Sequence, residues 1–186
     1  MRFACAMAAV VFGAAVAVAE VTSGPQVGEI VGAFTVTKVA GNPEDGVADG
    51  RNLCYRCKMG GRPVVMVFAR SADEKLAKLL KKIEEEVEEH QAEKLASFVN
   101  MIGTDAESLK KAAAEFATKH GIKRIAFVVP DDAKDGPLDL KIAPDAEVTV
   151  ICYKGGKVQA NHAFAKGALS DEKIDAVVKA SCKLVD

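Results

Sequence analysis

The chain has 186 residues, a length that suits one domain with a full core. Its 25 Lys and Arg against 26 Asp and Glu give a formal charge of −1, which argues against nucleic acid or anionic lipid as the main partner. There is no Trp and there are only two Tyr, so stacking platforms for bases or sugars are scarce.

The first predicted element stands apart from the fold. Met1-Arg2-Phe3 opens the chain, and an uncharged apolar run follows from Ala4 to Ala19. It closes on Ala17-Val18-Ala19, a small-x-small pattern, with Glu20 next. A positive start, a short apolar core and this ending predict a secretory signal peptide over residues 1–19. The run is shorter than the roughly 20 residues that span a bilayer. Cleavage would remove Cys5 and Arg2, leave a formal charge of −2, and leave residues 20–186 as a single domain. The expected location is therefore exported, either periplasmic or secreted, with no membrane association after cleavage. Four cysteines would remain, Cys54, Cys57, Cys152 and Cys182. An exported compartment lets disulfides persist, but four cysteines in this length leave the core to hold the domain.

Phe34-Thr35-Val36-Thr37-Lys38-Val39 alternates apolar and polar residues and predicts a half-exposed strand. Residues 40–62 are rich in Gly, Asp and Asn and read as a long loop that carries Cys54-Tyr55-Arg56-Cys57. Val64 to Ala69 is a continuous apolar run, as expected for a strand covered on both faces. Ser71 and Glu74 form an S-x-x-E capping box ahead of Leu76, Leu79, Leu80, Ile83 and Val87 at helical spacing. Leu95 to Ile102 predicts the next strand. Thr104 and Glu107 form a second capping box, ahead of Leu109, Ala113, Phe116 and Ala117, with Gly121 suited to the C-terminal cap. Ile125 to Val129 predicts a further buried strand, ended by Pro130. Val148–Tyr153 and Lys157–Ala163 flank Gly155-Gly156, a hairpin signal. A last helix is expected from Ser170, with Ile174, Val177, Val178, Cys182 and Val185 on one stripe.

The order is thus a strand, then βαβαβ, then a hairpin and a closing helix, which predicts an α/β fold with a parallel core and an antiparallel addition. Four stretches then carry a resemblance: Val27-Gly28 through Phe34-Thr35-Val36; Pro63 to Ala69; Ile125 to Asp132 with Ile142-Ala143-Pro144; and Val148 to Val158. Together they resemble the thioredoxin-like fold over residues 27–182, nearest its alkyl hydroperoxide reductase/thiol-specific antioxidant (peroxiredoxin-like) branch. The resemblance implies a central mixed sheet flanked by helices, with a C-terminal hairpin and helix.

The chain departs from that family at its usual site. Thioredoxins place Cys-x-x-Cys after the central strand, where the helix N-terminus lowers the thiol pKa. Here that turn reads Arg70-Ser71-Ala72-Asp73-Glu74, and the Thr and peroxidatic Cys of peroxiredoxins are missing as well. The Cys-x-x-Cys is displaced to a position before the strand. Thioredoxins also place a cis-proline directly before the hairpin, where this chain has Val148; Pro144 lies four residues earlier.

Three uses of Cys54 and Cys57 follow from the residues. The first is a catalytic redox pair, favoured by the adjacent Arg56 and Lys58, acting on a protein thiol or disulfide partner. The resemblance to thioredoxins points to Cys54 as the attacking sulfur. The second is a structural disulfide in a non-catalytic binding module. The third is a metal site of the copper-chaperone kind, with His162 as the distant ligand. His90 and His120 read as surface residues. Cys152 and Cys182 read as two small buried hydrophobes or as a second disulfide. No phosphate-binding loop, metalloprotease motif or G-x-S-x-G elbow occurs, and no cofactor is expected.

Overall fold

The computed structural model describes residues 21–186. The predicted signal peptide, residues 1–19, lies outside the described residues. Along the chain come β1 (Val36–Ala40), β2 (Asn52–Leu53), α1 (Tyr55–Met59), β3 (Pro63–Ala69), α2 (Glu74–Glu89), β4 (Ala96–Met101) and α3 (Ala106–His120). Then follow β5 (Ala126–Pro130), β6 (Ala146–Lys154), β7 (Lys157–Ala165) and α4 (Asp171–Cys182). The strands form one sheet in the order β2-β1-β5-β4-β3-β6-β7. β3, β4 and β5 run parallel, while β6 returns antiparallel on β3 and turns through Gly155-Gly156 into β7. The α/β architecture, parallel core and closing hairpin are those expected.

The burial pattern explains the composition of β3. Val65, Val67 and Ala69 enter one hydrophobic cluster, and Val64, Met66 and Phe68 enter the other, so the strand is apolar at every position. The first cluster takes the inward stripes of α2, α3 and α4. The second is covered by Tyr55 and Met59 of α1, by Val31 of the lead segment, and by Leu140 and Ile142. The short helix with the cysteine motif is thus part of one wall of the core.

Two helix starts differ from the capping boxes. Asp73, not Ser71, caps α2, its carboxylate accepting the Leu76 N–H at 2.8 Å. Asp105, not Thr104, caps α3, accepting from Glu107 and Ser108. In both places an Asp follows within two residues, and its ionised carboxylate meets the positive helix end better than a hydroxyl does. Ser170 caps α4 as expected, and Gly121 ends α3 at φ 62°.

The stripe on α4 is also shifted. Ile174, Val177, Ser181 and Leu184 face the sheet, while Cys182 is only partly buried. Successive helical residues point about 100° apart, so Ser181 facing Cys152 turns Cys182 away. Cys152 and Cys182 are therefore free thiols rather than a disulfide. Among the described residues no helix is long and apolar enough to cross a membrane.

Candidate functional site

The region 40–62 is more ordered than a loop. A 3-10 turn at Pro43–Asp45, the short β2 on the edge of β1, and the five-residue α1 occupy it. Tyr55 and Met59, four residues apart, share the buried face of α1. Cys57 and Lys58 fall on its exposed face, and Cys54 at the N-cap is half-buried.

Cys54 and Cys57 are joined by a disulfide. The Cys57 N–H points at the Cys54 Sγ, 3.1 Å away, and the Lys58 N–H donates to the Cys54 carbonyl at 3.0 Å. On reduction, a Cys54 thiolate would keep the Cys57 N–H as a hydrogen-bond donor. Arg56, expected to act electrostatically on the sulfurs, is engaged elsewhere. Its Nε donates to the Val31 carbonyl at 3.0 Å, and its guanidinium packs on the hairpin turn at Gly156, where any side chain would collide with it.

Tyr55 ties the motif to the interior. Its ring is fully buried and stacks on Phe98 at 5.4 Å between centroids. Its hydroxyl donates to Asp45 Oδ2 at 2.5 Å. Asp45 Oδ1 accepts from the Lys38 Nζ at 2.9 Å and from the Val47 N–H at 2.8 Å. Lys38 is itself buried and also donates to the Asn42 and Val47 carbonyls. Burial first, and then the bond to Asp45, hold the Tyr55 phenol well above its ordinary pKa. Lys38 and Asp45 escaped sequence reasoning because a Lys in an alternating strand and an Asp in a Gly-rich stretch both read as exposed.

A Bacteroides thetaiotaomicron structure, provisionally described as a protein disulfide isomerase, superposes with a TM-score of 0.65 at 15% identity, covering 89% of this chain and 94% of its own. The chain has a thioredoxin-like fold. A Chlorobium tepidum structure, provisionally described as the thiol:disulfide interchange protein DsbE, matches this thioredoxin-like chain with a TM-score of 0.61 at 13% identity, covering 87% and 99%. Mycobacterium tuberculosis AhpC matches with a TM-score of 0.57 at 13% identity, again covering 87% and 99%. No protein-family model and no curated protein matches the sequence.

In this thioredoxin-like fold the usual cysteine position is lost. The turn after β3 is held by Arg70, whose guanidinium donates to the carbonyls of Lys134, Ala146 and Ala143 at 3.0, 3.2 and 3.4 Å. The cysteine pair lies beyond the other end of β3. Pro63, six residues after Cys57, pairs with Lys154, whereas Ala69 pairs with Val148. Those two ends of the strand are roughly 20 Å apart at strand rise, so the pair does not fold back over Ser71 or Pro144. No peptide bond among the described residues is cis.

The remaining sequence candidates are dispersed. His162 sits in β7 opposite Val150, and its buried Nε2 has no hydrogen-bond partner among the described residues. Burial lowers its pKa. Its partner Val150 is four residues along β6 from Lys154, near whose end the cysteines lie, so the three-ligand copper arrangement is not assembled. Cys152 is fully buried against α4, and burial pushes its thiol up to about 12, which makes it a poor nucleophile.

Proposed function

We propose that this is an exported thioredoxin-like protein of thiol–disulfide exchange, with Cys54 and Cys57 as its redox pair. One observation carries the reading: the pair is held in place by contacts that do not need the disulfide. Tyr55 and Met59 are buried in the core, Arg56 is bonded to Val31, and Asp45 and Lys38 hold the Tyr55 hydroxyl network. A four-residue disulfide ring contributes only ~2 kcal/mol in the chain-entropy model. The motif therefore has a scaffold that would survive reduction, and its Cys57 side faces solvent. The thiol–disulfide proteins among the structural neighbours lend support at the level of fold.

The geometry also favours an order of steps. A partner thiolate attacks Cys57 Sγ, a partner–Cys57 disulfide forms, and the Cys54–Cys57 bond breaks. Cys54 leaves as a thiolate stabilised by the Cys57 N–H, and a lower-pKa thiol leaves faster. A second partner thiolate then attacks the partner sulfur of the mixed disulfide, which releases an oxidised partner and a Cys57 thiolate. The partner dithiol loses two electrons and the pair gains two. Run in reverse, Cys57 attacks a partner disulfide and Cys54 resolves it. This assigns first contact to Cys57 in place of the Cys54 that the thioredoxin resemblance favours. Beside the motif a groove lined by Lys58, Met59, Arg62 and Lys94 offers a partner surface.

A structural clip is the second reading, favoured by the position of the pair at the opposite end of β3 from the fold's usual site. The two differ in reduction potential. Equilibration in glutathione buffers should give a potential near that of a thiol buffer if the pair is redox-active, and below about −300 mV if it is a clip. The Cys54→Ser variant should trap a partner on Cys57, and Cys57→Ser should trap far less. A potential in the clip range, with no trapped complex, would reject the exchange reading. Export is tested separately by N-terminal sequencing of the extracytoplasmic protein, expected to begin at Glu20; an intact N-terminus found only in the cytosol would overturn it.

A further inference from the structure

α2 and α4 lie side by side and run in the same direction. Lys75 and Lys78 near the start of α2 pair with Asp171 at the start of α4, Lys82 pairs with Asp175 further along, and Glu86 meets Cys182 at the far ends. The last turns of both helices thus converge, and the partial negative charge of helix C-termini favours a cation there. Three side chains of metal-ligating type gather at this point. Cys182 Sγ donates to Glu86 Oε2 at 2.8 Å, His90 Nε2 lies 3.5 Å from the same oxygen, and the three donor atoms lie within 4.8 Å of one another.

We propose that Glu86, His90 and Cys182 form a binding site for a divalent cation of the zinc class, with a fourth position left to water. Thiolate, imidazole and carboxylate together are a borderline donor set that suits zinc better than calcium or magnesium. The spacing fits with small movements. Tetrahedral zinc, with bonds of ~2.0 Å to N and O and ~2.3 Å to S, puts neighbouring donors roughly 3.3–3.5 Å apart. The His90–Glu86 separation is already there, and the Cys182–Glu86 contact opens slightly as the ion replaces the thiol proton, which leaves to solvent. Glu86 lies in the last turn of α2 and His90 is the C-cap residue that follows it, its N–H bonded to the Glu86 carbonyl, so both side chains project from the same end of the helix. The other ring nitrogen of His90 faces Glu93 Oε2 at 3.8 Å, the outer carboxylate that orients a ligating imidazole. All three groups are partly exposed, so the ion has a path in.

The test is a Co²⁺ titration of the full mature chain in its Cys54–Cys57 disulfide form, in which that pair is unavailable as a ligand. The expected result is one equivalent bound, with a thiolate-to-cobalt charge-transfer band that Zn²⁺ displaces. Cys182→Ser should abolish the band, Glu86→Gln and His90→Ala should each weaken Zn²⁺ binding by at least about tenfold, and Glu93→Gln by about tenfold. Far-ultraviolet circular dichroism checks that each variant is folded, and Glu86→Gln leaves every cysteine in place. Absence of the band in the wild type, or its persistence in folded Cys182→Ser, would overturn the site and leave the Cys182–Glu86 contact as a helix-packing hydrogen bond.

Discussion

Lys38 places an ammonium where 1% of its side chain meets solvent, and Asp45 places a carboxylate where 5% does. Such a pair does not stabilise a fold by default, because desolvating two charges offsets most of their attraction. Its value here is positional: it fixes the acceptor that the Tyr55 hydroxyl needs, inside the cysteine motif. Removing one member leaves the others uncompensated, and that asymmetry is measurable. Tyr55→Phe should cost about 2 kcal/mol, since a hydrogen bond to a charged group is lost with the ring kept. Lys38→Met should cost more, about 3–5 kcal/mol, because the Asp45 carboxylate stays buried without its cation. Urea melts of the two variants and of the double variant give the coupling between them. Equal costs for the two single variants would refute this account. None of the network was legible in the sequence. Cys54-x-x-Cys57 is visible as a motif, but its anchoring depends on Lys38, which is 16 positions before Cys54 on another element. The exposure of Cys57 over Cys54 likewise follows only once α1 lays Tyr55 and Met59 inward.

At the scale of elements, long amphipathic segments were legible and short ones were not. The strands at Val64–Ala69 and Ile125–Val129 carry their burial in unbroken apolar runs, and the helix with Leu76, Leu79, Leu80 and Ile83 carries it in its periodicity. The five-residue α1 and the two-residue β2 are too short for any period, and long-range contacts hold them. Helix ends fall between these cases. Ser71 and Asp73 are both good capping residues, and a pattern of residue types does not rank them. The backbone does: Asp73 is extended, at φ −100° and ψ 175°, and its carboxylate reaches Leu76. Asp73→Ala should therefore lower stability by about 1 kcal/mol. Ser71→Ala, whose hydroxyl only approaches Asp73 at 3.5 Å, should change it by less than about 0.5 kcal/mol. Chemical denaturation of both variants checks the order, and a larger loss from Ser71→Ala would place the cap where the sequence pattern first put it.

For the molecule as a whole, the arrangement separates two ends of one sheet. At the end where thioredoxins do their chemistry, Arg70 closes the turn with three carbonyl bonds. At the other, a cysteine pair rests on a helix that walls off the second hydrophobic cluster. The thioredoxin-like order was legible because it is written in the succession of periodic segments, whereas the separation of the ends depends on which end of β3 the loop before it covers. This has a consequence for global stability. If the disulfide were the fastener of α1, breaking it would free Tyr55 and Met59 and open that cluster, and unfolding would lose its cooperativity. If the buried network and the Arg56–Val31 bond hold α1, only the chain-entropy contribution of a small ring is lost, ~2 kcal/mol. For a chain of this size, 1 kcal/mol corresponds to about 2–4 °C in Tm. The Cys54→Ser/Cys57→Ser variant should thus melt about 4–8 °C lower than the oxidised protein, in a single transition whose calorimetric and van't Hoff enthalpies agree. Dithiothreitol-reduced wild type should melt close to that variant. A broad or split transition, with tyrosine fluorescence measured in a Tyr153→Phe background changing before the far-ultraviolet signal, would show that the bond and not the packing holds α1 in place, and would move the pair from exchange chemistry to structure.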